Sequence, residues 1–303
     1  AVNAWSLDKF GELCDRVGPG LRVMTISPSI DEKPIPLAEG SSLGDAFGRI
    51  RLLLSRGVTP ALGHDKECTP SQVLGALAAA ASCSSSADKR RLHVTHTFNV
   101  QSLHHRDCGL ANIALLPRFP RTAECARFPD AEPPTIELIG DHCHASPLAL
   151  QLALSSRSHR DVCFVTDAIS EPKPGRKIHY AGFSGEVAAD GLTVLGQRGS
   201  GWVLCGSCTN LHATLLKLVR EHDVPMAHAI CMLSCNPASI AGLSRGGRLE
   251  VGRPCDAVLL GAAPAHDVLH TVVGGRVVYD APKNVCIPCS VGGGNQGGAG
   301  GAG

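Results

Sequence analysis

The sequence predicts an α/β fold built from parallel β/α units with a small β unit appended. Three observations predict it. Short β-branched runs alternate with helical segments between residues 21 and 168, the order that lays strands side by side in one direction. Four of those runs finish on or just before His or Asp: VTPALGH, HVTH, TIELIGD and CFVTD. After residue 175 the pattern changes to short strands joined by Gly-containing turns, which reads as antiparallel hairpins.

Taken in order, LRVMTISP (21–28) reads as a strand and LGDAFGRIRLLLSRG (43–57) as a helix. VTPALGH (58–64) is a short strand, and TPSQVLGALAAAAS (69–82) a helix with Thr69 placed to cap it and Pro70 in its first turn. HVTHTF (93–98) and TIELIGD (135–141) are strands, SPLALQLALSSR (146–157) a helix capped by Ser146, and DVCFVTDA (161–168) the next strand. The proline-broken stretches 27–42 and 118–134 read as surface loops. KIHYAGFSGEVAADGLTVLG (177–196) has the form of a hairpin turning at Asp190-Gly191, and two helical segments follow at 209–222 and 226–241. GRLEVGRPCDAVLLG and DVLHTVVGGRVVYD read as short antiparallel strands with a turn at Gly274-Gly275. The glycine-rich tail, 286–303, cannot bury apolar surface and is expected to be disordered.

Composition narrows the function. A formal net charge of +1 across 303 residues gives no global field for nucleic acid or a membrane surface. No apolar run approaches the ~20 residues that cross a bilayer, and AVNAWSLDKFGEL has neither the basic nor the apolar region of a signal peptide. The 14 cysteines are scattered through apolar segments, which suits free thiols in a reducing, cytoplasmic setting better than a disulfide framework. Two CxxC pairs, Cys205/Cys208 and Cys286/Cys289, lie about eighty residues apart and are read as unrelated thiols rather than one zinc site.

The chemistry gathers at strand ends. His64, His96, Asp141 with His144, and Asp167 each follow a predicted parallel strand, and in a β/α barrel such ends converge on one mouth. Neutral imidazoles suit a borderline-soft divalent metal, zinc or ferrous iron. An Asp at a neighbouring strand end is the natural base for water activated there. A lone strand-end His is usually structural, and His93, with no such place in the pattern, is read that way; it is the alignment of several ends that favours a site.

The segments LGHDKECTPSQVLGA, VTHTFN, LHHRDCGL, IGDHCHASPLAL and FVTDA resemble, in order, those of the N-acetylglucosamine-6-phosphate deacetylases of the amidohydrolase superfamily, and LCGS, CNPASIAGL, GRLEVGRPCDAVLL and TVVGGRVVYD fit the same family. The resemblance covers roughly residues 20 to 280. It implies a TIM-like β/α barrel with a small β-sandwich made from both termini, here incomplete: strands four to eight in 1–245, part of the sandwich in 246–285. It implies hydrolysis of N-acetylglucosamine 6-phosphate to glucosamine 6-phosphate and acetate. His64 and His96 match metal ligands, and Asp167 the acid/base. Asn99, Val100, His105, Arg106 and His144 match substrate-binding positions. Arg106 matches an arginine that reaches the neighbouring subunit's phosphate, which implies a homodimer. The family's HxH and EGP segments have no counterpart and are expected upstream of Ala1. The family's glycine after Asp141 is His142 here. Two alternatives stay open: a non-catalytic homologue that binds a sugar phosphate or scaffolds a partner, and a dihydroorotase-like amidohydrolase.

Overall fold

The structure, a computed structural model, describes residues 5–39, 42, 44–83, 91–169, 173–180, 183–189, 191, 193–198, 201–281 and 285–286. The chain divides into two compact units, residues 1–247 and 248–303.

The first unit opens with a helix that the sequence reading did not anticipate, α1 (Leu7–Val17), capped by Ser6 and burying Phe10, Gly11 and Cys14. Strand β1 (Val23–Ile26) and the one-turn helix α2 (Pro28–Asp31) follow. The expected loop at 27–42 therefore contains a helical turn, and its Asp31 has a task. Fully buried, it accepts hydrogen bonds from the backbone N–H of Arg49 and Ile50 at the start of α3 (Gly48–Ser55) and lies 3.5 Å from the Arg49 guanidinium. These are donors that the first turn of any helix leaves unpaired.

β2 (Thr59–Leu62) leads into α4 (Pro70–Cys83), which starts as expected. Thr69 Oγ1 accepts from Gln72 N at 3.3 Å while Gln72 Oε1 accepts from Thr69 N at 2.9 Å, a reciprocal capping box. β3 is only His93–Val94, shorter than the predicted run, because the chain turns at Thr95. Next come α5 (Leu110–Ala114), α6 (Ala123–Ala126, inside the expected loop 118–134), β4 (Thr135–Ile139), α7 (Pro147–Ser156, capped by Ser146) and β5 (Val162–Val165).

Strands β1 to β5 form one parallel sheet in chain order. Side chains alternate between its faces. Leu62, Val94, Ile136, Leu138, Val162 and Phe164 are buried to 1% exposure or less, as a sheet sandwiched under helices requires. The opposite face carries Thr25, Ala61, His93, Glu137 and Cys163, aligned by the register Thr25↔Ala61↔His93↔Thr135 and Glu137↔Cys163.

The hairpin expected at 177–196 is part of a larger antiparallel meander, β6 (Lys177–Tyr180), β7 (Phe183–Val187), β8 (Thr193–Arg198) and β9 (Gly201–Ser207). Asp190 of its expected turn lies outside the described residues. Helix α8 (Leu211–Arg220) follows. α9 (Met226–Ile230) then runs through a π-helical turn, Cys231–Cys235, into α10 (Asn236–Ile240). The second unit holds a four-stranded antiparallel sheet: β10 (Ala257–Leu260), β11 (Val268–Val273), β12 (Arg276–Asp280) and β13 (Val285–Cys286). Its β11–β12 turn is Gly274-Gly275, both at positive φ as a two-residue hairpin loop needs. Within GRLEVGRPCDAVLLG the strand is Ala257–Leu260. The tail, 287–303, lies outside the described residues.

Candidate active site

The residues that follow β2, β3, β4 and β5 share an unusual backbone. His64, His96, His142 and Asp167 all have positive φ, at 52°, 30°, 69° and 47°, a region that non-glycine residues occupy at a steric cost. Strained backbone held at the ends of four adjacent strands is characteristic of functional sites, where the surrounding structure over-determines the turn. At β2 the turn also depends on Gly63. A Cβ there would fall 2.4 Å from Thr95 Cγ2, so only glycine lets the β2 and β3 ends approach this closely.

That approach brings the two candidate ligands together. His64 Nε2 lies 2.8 Å from His96 Nε2, with the rings edge to face at a centroid distance of 4.5 Å. Two imidazole nitrogens bound to one tetrahedral cation lie roughly 3.3 Å apart, so an opening of about half an ångström admits an ion between them. The remaining nitrogen of His96, Nδ1, is buried and has no hydrogen-bond partner among the described residues. Burial lowers the His64 pKa, the His96 ring lowers it further, and the Asp167 carboxylate opposes them. The His64 ring therefore favours the neutral form that binds metal, and Asp167 is close enough for its charge to be felt there. Asp167 itself is exposed, and its carbonyl is tied to Ser207 N at 2.8 Å. The donors present fit a divalent cation, with two nitrogens aimed at one point and a carboxylate nearby.

His144 is placed by Asp141. The Asp141 carboxylate accepts from the backbone N–H of Cys143 and His144 through Oδ1, while its Oδ2 meets His144 Nδ1 at 2.6 Å. Burial works to raise the Asp141 pKa, but the His144 side chain and the two backbone N–H groups outweigh it and hold the carboxyl below its ordinary value. With Nδ1 committed, His144 presents Nε2, which is buried and has no partner among the described residues. Next to it, His142 packs against His222 with 3.1 Å between their Nε2 atoms. The backbone at 142 is left-handed, which gives a physical reason for the glycine in the resembled family.

The substrate-binding candidates on the β3 loop lie apart from this cluster in character. Asn99 is half-buried in the turn closed by its N–H on the His96 carbonyl, and Val100 is exposed at φ 53°. His105 and Arg106 are both exposed, His105 leaning on the His104 ring at 4.3 Å. His104 is the loop's organiser: its Nδ1 accepts from Asp107 N at 3.1 Å, and its carbonyl accepts from Asn112 Nδ2. Sequence reasoning missed Glu137. Its Oε1 accepts from Thr95 Oγ1 and from His96 N at 2.9 and 3.0 Å, clamping the β3 turn. The available signal was a carboxylate inside the apolar run TIELI. His93, read as structural, is 1% exposed and bonds to Glu137.

A parallel β/α sheet with imidazoles and a carboxylate at consecutive strand ends defines the class as a β/α fold with a candidate site at its strand ends. The amidohydrolase family model matches residues 44–278, and the chain belongs to that family. Solved N-acetylglucosamine-6-phosphate deacetylases share its fold. The Thermotoga maritima enzyme superposes with a TM-score of 0.66 at 20% identity over 86% of this chain and 60% of its own. The Pasteurella multocida enzyme gives 0.66 at 19% identity, covering 90% and 60%, and the Mycobacterium smegmatis enzyme 0.66 at 20%, covering 90% and 62%. The chain thus spans about three fifths of the length of these structures. None of the curated proteins matches it in sequence. Among the described residues, no helix is long and apolar enough to cross a membrane.

Proposed function

We propose that the protein hydrolyses the acetamide of N-acetylglucosamine 6-phosphate, giving glucosamine 6-phosphate and acetate. One observation carries the reading: His64 and His96 meet through Nε2 at 2.8 Å on adjacent strand ends, beside Asp167. In this reading β1–β5 belong to a β/α barrel, and the β10–β13 sheet to a small sandwich.

His64 and His96 would hold a divalent cation, zinc or ferrous iron, which supplies the Lewis acidity that lowers the pKa of water. Asp167 takes a proton from the attacking water and returns it to the leaving nitrogen, which departs as an amine only when protonated. His144, its Nδ1 held by Asp141, turns Nε2 toward the substrate. Asn99 and the backbone at Val100 line the sugar turn. Arg106, with His105 beside it, offers a planar fork suited to a phosphate, and exposure of both suits a phosphate of the neighbouring subunit's substrate in a cytoplasmic homodimer.

The test is acetate release from N-acetylglucosamine 6-phosphate by the zinc- or iron-loaded protein. The reading requires turnover, with kcat falling on the order of 10²–10⁴-fold in Asp167→Asn. An unchanged rate in that variant removes Asp167 from the role, and no turnover by the folded, metal-loaded protein overturns the reading.

A further inference from the structure

A second convergence of donor atoms lies deeper along the same strands. His93 stands three residues before His96, Glu137 four before Asp141, and Cys163 four before Asp167. Register brings the three to one face, with Glu137 opposite Cys163 and His93 opposite Thr135. His93 Nε2 lies 3.2 Å from Glu137 Oε2 and 3.9 Å from Cys163 Sγ, and the three donor atoms all lie within 4.8 Å of one another. A zinc ion bound tetrahedrally by N, O and S sets N···O near ~3.3 Å and N···S near ~3.6 Å. The two His93 distances already match within a few tenths of an ångström.

The other polar atoms of these side chains are occupied. His93 Nδ1 pairs with Thr135 Oγ1 at 2.9 Å, and Glu137 Oε1 accepts from Thr95 Oγ1 and His96 N. Only Nε2, Oε2 and Sγ are left to face each other. Ligands whose outer atoms are pinned by the protein are the usual construction of a metal site. We propose that His93, Glu137 and Cys163 form a second divalent-metal site of the zinc class, distinct in its ligands from the His64/His96 pair. On loading, the Cys163 S–H bond breaks, its proton leaves to solvent and the sulfur lone pair binds the ion. The neutral His93 contributes the Nε2 lone pair, and thiolate and carboxylate together balance the dication. Three protein ligands leave one position for water, and the Glu137 side chain, 18% exposed, gives access to it.

Cobalt(II) titration tests this site independently of catalysis. A thiolate-to-cobalt charge-transfer band is expected in the wild type and in the His64→Ala/His96→Ala double variant, and is expected to vanish in Cys163→Ala and weaken at least tenfold in apparent affinity in His93→Gln. A wild type without the band, or a band unchanged in Cys163→Ala, overturns the proposal in favour of a hydrogen-bonded His–Glu pair beside an inert thiol. Zinc-edge X-ray absorption of the wild type needs no variant: sulfur at about 2.3 Å supports the site, and a first shell of nitrogen and oxygen alone rejects it.

Discussion

The backbone at residues 64, 96, 142 and 167 takes a left-handed turn at the end of each strand, so conformational cost and the proposed chemistry fall on the same short turns. At 142 the two can be separated. His142→Gly relieves about 1–2 kcal/mol of steric cost but gives up the contact with His222, so its stability is expected within about 1 kcal/mol of wild type. His142→Val gives up the same contact and keeps the cost, and chemical denaturation should show it about 1–2 kcal/mol less stable than His142→Gly. Asp141 makes a prediction about pH. Its folded-state pKa is lowered, so its contribution to stability is complete above the unfolded value near ~4 and disappears as pH falls through the folded value. Unfolding free energies measured from neutral pH downward should decline less steeply in Asp141→Asn than in wild type; equal slopes would remove the role assigned to the His144 hydrogen bond.

Among the elements, those announced by local chemistry were the legible ones. Thr69-Pro70 and Ser146-Pro147 mark helix starts that the structure keeps, and strand-ending His64, His96 and Asp167 could be read because polar residues closing apolar runs stand out. Elements fixed by distant partners were not legible. Asp31 caps α3 from 18 residues away, and a carboxylate in a proline-broken stretch looks like any loop acid. Burial pushes the Asp31 pKa up against the backbone N–H groups of Ile50 and Arg49 and the Arg49 guanidinium. Removing it takes away the buried carboxylate 3.5 Å from the buried Arg49 guanidinium and the acceptor of two backbone N–H groups. Asp31→Ala should therefore cost about 3–5 kcal/mol in denaturant unfolding, far more than removal of the exposed Asp15, which pairs with Arg56 at the surface. Glu137 escaped notice for a related reason: its partners His93, Thr95 and His96 lie on β3 and the turn that follows it, and pairing register is invisible in one strand's pattern.

For the molecule as a whole, the parallel sheet and the strand-end positions of His64, His96 and Asp167 were readable because one rule, strand then helix, generates both. The later β segments were read only in outline: a hairpin became a four-stranded meander, since strand count in an antiparallel sheet depends on pairing and not on periodicity. The central claim is that two strands deliver His64 and His96 to a single metal ion. Anomalous X-ray scattering at the zinc edge, from crystals grown with zinc, addresses it directly. The account predicts a peak about 2.0–2.1 Å from both Nε2 atoms, with the pair opened beyond its present 2.8 Å. Crystals in which zinc is absent from that position, and the two imidazoles remain hydrogen-bonded to each other, would contradict it.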